Sequence, residues 1–250
     1  MNYREEKLFK ERDYAVETTQ DMSPTLRPQQ KESMHHMGGA AGESVYLYYE
    51  ALVRYSQIKP IESEMDSLSV LSFGFGMGYN ELLTVLFFLK NKLDLTKLCL
   101  VSHEKDLFLY DLFNEWLKAD GKEPSIFDQV FEGIERTGIN AGSAADAKKG
   151  LVDLLQHNRW LQLGPVLSVD DFKNKYDIVF YDAFSSKTND FLWDEFFLDS
   201  FFKNHLNAVF VFSTYACTGN LKRVAAGNRS QFEKRDGFKG KRNSSLIRRS

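Results

Sequence analysis

Long apolar runs and cysteines are scarce in this chain of 250 residues, and each scarcity excludes a class of protein. No stretch approaches the roughly 20 uninterrupted apolar residues of a transmembrane helix, so we expect no membrane span. The first residues are charged and lack the apolar core of a signal peptide. Cys99 and Cys217 lie far apart in apolar contexts, which favours buried free thiols over a disulfide framework or a metal site. These features predict a cytoplasmic protein.

The residues that are present suit a single α/β domain with an extension. Apolar residues make up 43% of the chain, which is ample for a core. Residues 1–33 are polar, and Pro24 and Pro28 interrupt any long helix, so we expect a partly ordered arm with a short hairpin. The net charge of −3 argues against indiscriminate binding of polyanions but leaves room for a local basic surface.

Apolar strand-like runs alternate with helical patterns along the rest of the chain. Strands are predicted at 68–73, 97–103, 160–167, 176–181 and 208–214, helices at 44–53, 79–91, 107–119, 144–157, 190–204 and 219–227, and two further strands at 230–249 around a turn at 237–242. Residues 121–142 carry only a weak pattern. The alternation predicts an α/β fold with a mostly parallel, doubly wound sheet and a C-terminal antiparallel pair of strands.

The strand at 68–73 ends in three glycines at alternate positions, Gly74, Gly76 and Gly78, and a buried helix follows directly. Glycine suits a backbone that takes positive φ or touches a ligand, and a helix N-terminus offers free N–H groups to an anion. Strand, glycine turn and helix together are typical of a Rossmann-type site. The spacing G-x-G-x-G favours S-adenosylmethionine, which brings a carboxylate, over a dinucleotide that brings a pyrophosphate. A tight turn in any α/β sheet is the alternative interpretation.

Two carboxylates follow predicted strands. Glu104 comes after the second core strand, where Rossmann-type sites place an acid that accepts hydrogen bonds from ribose hydroxyls. Asp182 comes at the carboxyl end of the fourth strand, on the edge where open α/β sheets bind ligands, and could orient or deprotonate an amine. The structural alternatives are an acid near a helix N-terminus for Glu104 and a turn-capping residue for Asp182.

Other polar and aromatic groups receive simpler interpretations. Adjacent His35 and His36 cannot easily face one site and have no partner at ligand spacing, so we expect a loop that contacts substrate or the sheet edge, and no metal. The helix-spaced aromatics of 191–202 are interpreted as core. The tail is strongly basic, which fits either a phosphate-contacting surface or a solvated tail. Its basic residues are Lys222, Arg223, Arg229, Lys234, Arg235, Lys239, Lys241, Arg242, Arg248 and Arg249.

Several motifs, in order along the chain, resemble MnmC-type methyltransferases, the methylating module of tRNA 5-methylaminomethyl-2-thiouridine biosynthesis. The segment 73–80 resembles the family's GFGTGLN signature. Residues 43–46 resemble its E-[ST]-x-Y segment, 102–105 its S-F-E-K, 182–185 its D-[AG]-F-[AS], 192–193 its M/L-W, 213–219 its T-[YF]-[ST]-A…G, and 237–242 its G-F-G-x-K-R. The resemblance runs from about residue 34 to residue 250.

This resemblance implies a Rossmann-like class I S-adenosylmethionine-dependent methyltransferase domain over 34–250 that acts on the aminomethyl group of the tRNA wobble uridine. It implies that the cofactor is lined by Gly74, Gly76, Gly78, Asn80 and Glu104. It places Asp182 beside the methyl acceptor and Lys241 and Arg242 near RNA phosphate. The sequence has no room for the FAD-dependent oxidase module of bifunctional members, so we expect a separate oxidase.

The chain departs from the family pattern at two places. The family's G-D after the third strand, whose Asp faces the adenine, is Gly164-Pro165 here, and the proline of D-x-F-x-P is replaced by Ser186. Three alternatives therefore stay open: a methyltransferase of another amine, a non-catalytic member of the same fold, and an NAD-type oxidoreductase. The last is disfavoured by the glycine spacing and by the lack of an obvious His or Tyr for hydride transfer.

Overall fold

The fold is given by a computed structural model that describes residues 1–29, 32–61, 67–183, 190–240 and 243–250. Two sheets are formed from the strands β1 (Tyr14–Thr18), β2 (Pro24–Pro28), β3 (Leu68–Phe73), β4 (Leu98–His103), β5 (Trp160–Leu163), β6 (Tyr176–Tyr181), β7 (Leu206–Thr214), β8 (Gln231–Arg235) and β9 (Ser244–Arg249). The large sheet has the order β5-β4-β3-β6-β7-β9-β8. Its first five strands are parallel, and β9 runs antiparallel to both β7 and β8. The predicted fold class is confirmed.

The central strands form because nearly every residue of β3 and β6 is apolar and buried, as expected for parallel strands covered on both faces. In their register Phe73 pairs with His103 on β4 and with Tyr181 on β6. The three strands therefore end at the same level, and the residues that follow them meet at one edge of the sheet.

Helices cover both faces of the large sheet. They are α1 (Tyr3–Glu11), α2 (Ala40–Ser44), α3 (Glu50–Ile58), α4 (Tyr79–Lys90), α5 (Phe108–Lys118), α6 (Ile126–Arg136), α7 (Ala144–Gln156), α8 (Glu195–His205) and α9 (Gly219–Gly227). The helices α2 to α7 pack in the hydrophobic cluster on one face, whereas α8 and α9 pack in the cluster on the other. Among the described residues, no helix is both long enough and apolar enough to cross a bilayer.

The helix predicted at 44–53 is part of a longer helical run. α2 continues into a π-helical turn at Val45–Tyr49, which leads directly into α3. This run crosses the sheet beside β6 and β7, and Ser213 of β7 donates a hydrogen bond to the Leu47 carbonyl at 2.6 Å. A π turn is rare and is found most often at functional sites.

Three predicted boundaries need correction. Residues 121–142, described above as weakly patterned, contain α6, which begins after a capping box formed by Ser125 and Asp128. The strand predicted to reach 167 ends at Leu163, because Gly164-Pro165 cannot continue it and proline has no N–H for the ladder. The helix predicted at 190–204 is split, since Asp194 caps the N-terminus of α8.

The N-terminal arm is better ordered than predicted. The expected hairpin is present as β1 and β2, and α1 precedes it. Phe9 of α1 is buried in the core, and the Glu5 carboxylate accepts hydrogen bonds from Ser125 Oγ at 2.5 Å and the Ile126 amide at 2.9 Å. The arm therefore packs on the N-terminus of α6.

Candidate active site

The glycine turn after β3 is joined to both neighbouring strands. The Gly74 amide donates to the His103 carbonyl at 3.0 Å, and the Asp182 amide donates to the Phe73 carbonyl at 2.8 Å. Gly74 has φ 101°, and a Cβ there would lie 2.6 Å from the Asp182 carbonyl oxygen. Only glycine allows this close approach of the turn to the end of β6.

Glu104 is tied to the same turn. One of its oxygens accepts from the Gly76 amide at 3.0 Å, and the other accepts from the amides of Lys105 and Asp106 at 2.7 and 2.9 Å. Burial raises the pKa of Glu104, and these three amides oppose the rise because they favour the charged form. Carboxylate oxygens offer about four lone-pair sites, so Glu104 can still accept from a ligand hydroxyl.

The other predicted cofactor residues lie at the start of α4. Gly78 has φ 74° and precedes the first helical residue, and a Cβ there would meet the Phe113 ring. Asn80 is buried and its amide nitrogen lies 3.5 Å from Ser72 Oγ on β3. The structure therefore directs Asn80 toward the strand, while the backbone of the turn forms the open side.

Asp182 stands at the other side of the turn, partly exposed at the carboxyl end of β6. Two buried tyrosines, Tyr48 and Tyr215, lie close enough for its charge to raise their pKa values, after the larger effect of burial. The Tyr215 hydroxyl donates to the Ala183 carbonyl at 2.9 Å. Residues 184–189, including Ser186 of the predicted motif, lie outside the described residues.

The comparisons with known proteins agree with this geometry. Residues 161–246 match the model of a family described as S-adenosyl-L-methionine-dependent methyltransferase. The structure is similar to that of MnmC2 from Aquifex aeolicus, with a TM-score of 0.62 and 19% identity, covering 94% of this chain and 69% of that one. The chain has the fold of the class I S-adenosylmethionine-dependent methyltransferases, and about a third of it matches the model of that family. Its predicted resemblance to the MnmC-type methyltransferases is confirmed.

More distant structures are also methyltransferases. One is a putative O-methyltransferase from Nostoc punctiforme, with a TM-score of 0.40 and 9% identity, covering 81% of this chain and 56% of that one. Another is CalS10, an amino pentose methyltransferase from Micromonospora echinaspora with its cofactor bound, with a TM-score of 0.40 and 10% identity, covering 81% and 91%. These two are too dissimilar to support an argument about this methyltransferase. No curated protein matches the sequence.

The glycine turn fits the cofactor of such a methyltransferase. Among the described residues, only Met34 Sδ, at 3.5 Å, lies within 4 Å of a Cβ built on Gly76, so this part of the structure leaves space above the turn that a side chain would fill. Gly76 also has φ 54°, which favours glycine. The turn thus offers an open backbone, the N-terminus of α4 and the Glu104 carboxylate on one side of the sheet edge.

The chain has a histidine, His103, where the motif of the MnmC-type family has phenylalanine. His103 Nδ1 lies 2.9 Å from the Gly164 carbonyl oxygen, which requires this nitrogen to carry the proton. Burial lowers the pKa of His103, so the ring is neutral at pH 7. His103, a further difference from the motif, is therefore in contact with Gly164 of the Gly164-Pro165 departure. Asp171 accepts from the amides of Leu167 and Ser168 and caps the following turn.

His35 and His36 point to different neighbours. His35 Nδ1 lies 3.0 Å from Thr25 Oγ1, and its ring packs on Tyr79. The His36 ring packs on Phe238, and its amide donates to the buried Glu43 carboxylate at 2.6 Å. The segment with His35 and His36, called the histidine loop below, thus contacts the hairpin, α2 and the turn before β9.

The basic tail is divided by the fold. The C-terminal end of β8 and the turn at Phe238–Gly240 lie at the edge that holds the glycine turn, because Arg235 pairs with Ser244, and Thr214 pairs with Ser245. Arg249 lies at the opposite end, where it donates to the carbonyls of Ala208 and Asn207. Lys241 and Arg242 lie outside the described residues. The tail is therefore not one continuous basic surface.

The sequence analysis overlooked two buried groups near the site. Glu81 is buried behind the glycine turn and accepts from Ser102 Oγ at 2.7 Å, and burial raises its pKa to about 7. Tyr48 lies against Asp182, as described above. An acid within an apolar helical run is a visible signal for Glu81, whereas Tyr48 is one of many aromatic residues and has no such signal.

Proposed function

We propose that this methyltransferase transfers a methyl group to the 5-aminomethyl group of the tRNA wobble uridine. The observation that supports the proposal is the junction of Asp182 with the glycine turn, through the Asp182 amide and the close approach to Gly74. This junction puts a carboxylate beside the region that suits the cofactor. The choice of the wobble uridine as the substrate rests on the resemblance to MnmC-type enzymes.

In this proposal the cofactor is held by Gly74, Gly76, Gly78 and Glu104 directly, and Asn80 supports the first turn of α4. When bound, S-adenosylmethionine supplies a methyl group on a positively charged sulfur. The amides at the turn suit its carboxylate, because the N-terminus of a helix favours an anion. Glu104 accepts from ribose hydroxyls with the lone pairs that its three amide partners leave free.

Asp182 is the residue that we assign to the acceptor amine. An alkylamine with a pKa near 10.4 is mostly protonated at pH 7, and forming the free base costs about 4 to 5 kcal/mol. A nearby carboxylate raises the pKa of the amine, so it cannot favour the free base by its charge, but it can orient the amine and accept its proton. We therefore assign Asp182 to positioning and proton acceptance.

The RNA partner is assigned to the edge that carries the glycine turn. Lys241 and Arg242 follow the turn at Phe238–Gly240, which packs on the histidine loop: Lys239 Nζ donates to the Gly38 carbonyl at 2.5 Å. Basic residues at this edge would contact the phosphates of the anticodon arm. A tRNA substrate also implies a cytoplasmic location and a separate FAD-dependent oxidase acting on the same nucleoside.

The test is transfer of labelled methyl from S-adenosylmethionine to tRNA that carries unmethylated aminomethyluridine, followed by nucleoside mass spectrometry. We expect the label only in the wobble nucleoside and its loss in Asp182→Asn. A parallel reaction contains small primary amines instead of tRNA. Labelled small amines with unlabelled tRNA would contradict the proposed substrate and support a methyltransferase of another amine.

A further inference from the structure

Met34, just before the histidine loop, passes over the glycine turn. Its Sδ atom lies 3.5 Å from the position that a Cβ on Gly76 would occupy. Apart from the two chain neighbours of Gly76, no other atom of the described residues lies within 4 Å of that position. A Cβ built on a glycine points into the space that the missing side chain leaves open. The Met34 thioether therefore borders the open side of the turn.

The hairpin of β1 and β2 holds Met34 in this place. The Met34 amide donates to the Leu26 carbonyl of β2 at 2.8 Å. The next residue, His35, donates its amide to Thr25 Oγ1 at 3.2 Å, and its Nδ1 lies 3.0 Å from the same oxygen. Leu26, Thr25 and His35 are all buried. The backbone on which the Met34 side chain stands is thus fixed to β2.

The same hairpin is joined to the helix that follows the glycine turn. Tyr79, the first residue of α4, donates its hydroxyl to the Pro24 carbonyl of β2 at 2.7 Å. The Tyr79 ring is buried and packs edge-on against the His35 ring, with the ring centroids 4.9 Å apart. Because Gly78 directly precedes Tyr79, these contacts fix how far the hairpin lies from the glycine turn.

The position of Gly76 indicates which part of the cofactor Met34 would meet. The Gly76 amide donates to Glu104, the residue assigned to the ribose, at 3.0 Å. The helix α4, whose N-terminus is assigned to the cofactor carboxylate, begins three residues after Gly76. Gly76 thus lies between the groups assigned to the two ends of the cofactor. In S-adenosylmethionine, methylene groups and the sulfur connect the ribose to the amino-acid carboxylate.

We propose that Met34 is a cofactor-contacting residue, which packs its thioether on the methylene groups of the amino-acid chain and closes the site on the side of the hairpin. Methionine suits this contact because its unbranched side chain adapts to the shape of a neighbour and its sulfur is polarisable. Met34 is half-buried, so part of its surface is open to a ligand. The inference rests on the proposed assignment of the cofactor to the glycine turn.

The first experiment observes the contact by NMR in the full chain labelled with ¹³C at the methionine methyl groups. The chain has six methionines, and Met34→Leu assigns the Met34 signal by its loss. The labelled protein is titrated with S-adenosylhomocysteine, which keeps the amino-acid chain. We expect the Met34 methyl signal to shift and to show NOEs to the methylene protons of that chain. The Met22 methyl group, 64% exposed at the tip of the hairpin, should stay unchanged.

The backbone amides of Gly74, Gly76 and Gly78 are followed in the same titration. Shifts at these glycines with no NOE from Met34 to the ligand, or with NOEs to adenine protons alone, overturn the Met34 contact and keep the proposed cofactor site. Glycine amides that stay unchanged while the ligand binds elsewhere overturn the proposed site and the Met34 contact together. The titration contains no tRNA, so its result does not depend on the methyl acceptor.

The second experiment measures S-adenosylmethionine affinity by calorimetry. Met34→Ala should weaken binding about 10-fold, because it removes the apolar groups that would face the cofactor. Met34→Leu keeps the volume and should stay within about 3-fold of the wild type. Met22→Ala is the matched control and should bind as the wild type does. Wild-type affinity in Met34→Ala overturns the inference.

Discussion

The two ends of β6 each carry an aspartate, and the two aspartates have different surroundings. Asp177 is buried and accepts hydrogen bonds from Tyr55, from Asn207 Nδ2 at 2.9 Å and from the Ser69 amide at 2.8 Å. Asp182 is partly exposed beside a turn of small residues with open space above it. The three donors to Asp177 bury it within the fold, whereas Asp182 lies at the edge of the sheet where open α/β folds bind ligands. The position along a parallel strand therefore distinguishes a buried carboxylate from one at the ligand-binding edge.

The largest effect should come from replacing each of these two aspartates by asparagine in a separate variant. Asp182→Asn is expected to lower turnover at least 100-fold, because the amide cannot accept a proton, and to leave unfolding and cofactor affinity nearly unchanged. Asp177→Asn is expected to cost about 2 kcal/mol of stability, since an amide cannot serve all three donors, and to keep turnover. Single-turnover kinetics and urea unfolding measure both. A comparable loss of turnover in both variants would contradict the different roles assigned to Asp182 and Asp177.

A second prediction concerns the open space at the turn. Gly76→Val should weaken S-adenosylmethionine binding at least 100-fold, because the side chain fills the space above the turn and also strains a φ of 54°. Gly121→Val is the matched control, since Gly121 has φ 77° with no atom near its Cβ position and lies away from the edge. Calorimetric titration with the cofactor measures both affinities. Equal losses in the two variants would attribute the effect to backbone strain.

Another buried carboxylate, Glu81, sharpens the comparison with Asp177 because one of its oxygens has no hydrogen-bond partner among the described residues. Its pKa is raised from the ordinary 4.5 to about 7 in the folded protein. Its contribution to stability is therefore fully present below pH 4.5 and is lost as the pH rises through 7, by roughly 3 kcal/mol in total. Glu81→Gln should flatten this part of the pH dependence in urea unfolding. Exposed Glu135→Gln should keep the wild-type slope, and a flat wild-type curve would contradict the prediction.

The smallest effect is expected from the basic residues of the C-terminal tail. Lys241→Glu with Arg242→Glu should weaken tRNA binding about 10-fold and lower the salt dependence by about two released ions. Arg229→Glu with Arg248→Glu makes the same change of charge away from the glycine turn and should have little effect. Binding measured at several salt concentrations distinguishes a local contact from a response to net charge alone, which would affect both pairs equally.

The sequence was sufficient to predict the sheet and the positions of Gly76, Glu104 and Asp182, because strand ends and glycine turns leave local patterns. The helix α6 was missed although its signals are present: Ser125 and Asp128 form a capping box before apolar residues at helical spacing. The N-terminal arm was underestimated for a different reason. Its anchor, Glu5, binds residues 120 positions away, and no local pattern reports such a contact.

The partners of the site residues were less predictable than the residues themselves. Asn80 remains a predicted cofactor residue, and the contact of its amide nitrogen with Ser72 Oγ was not predicted. Tyr55 has the same local pattern as the core aromatics around it, and only the fold shows that its hydroxyl reaches Asp177. Contacts of this kind depend on how helices are placed on the sheet, which periodicity alone does not determine.

The π turn at Val45–Tyr49 has a consequence for how such an enzyme can diverge. A π turn holds one residue more than a regular turn, so the additional residue is absorbed within the turn and α2 and α3 keep their mutual direction. Deleting that residue would restore a regular helical turn between them. The length of the chain can thus change by one residue at this point without displacing Glu43 on one side or Tyr55 on the other.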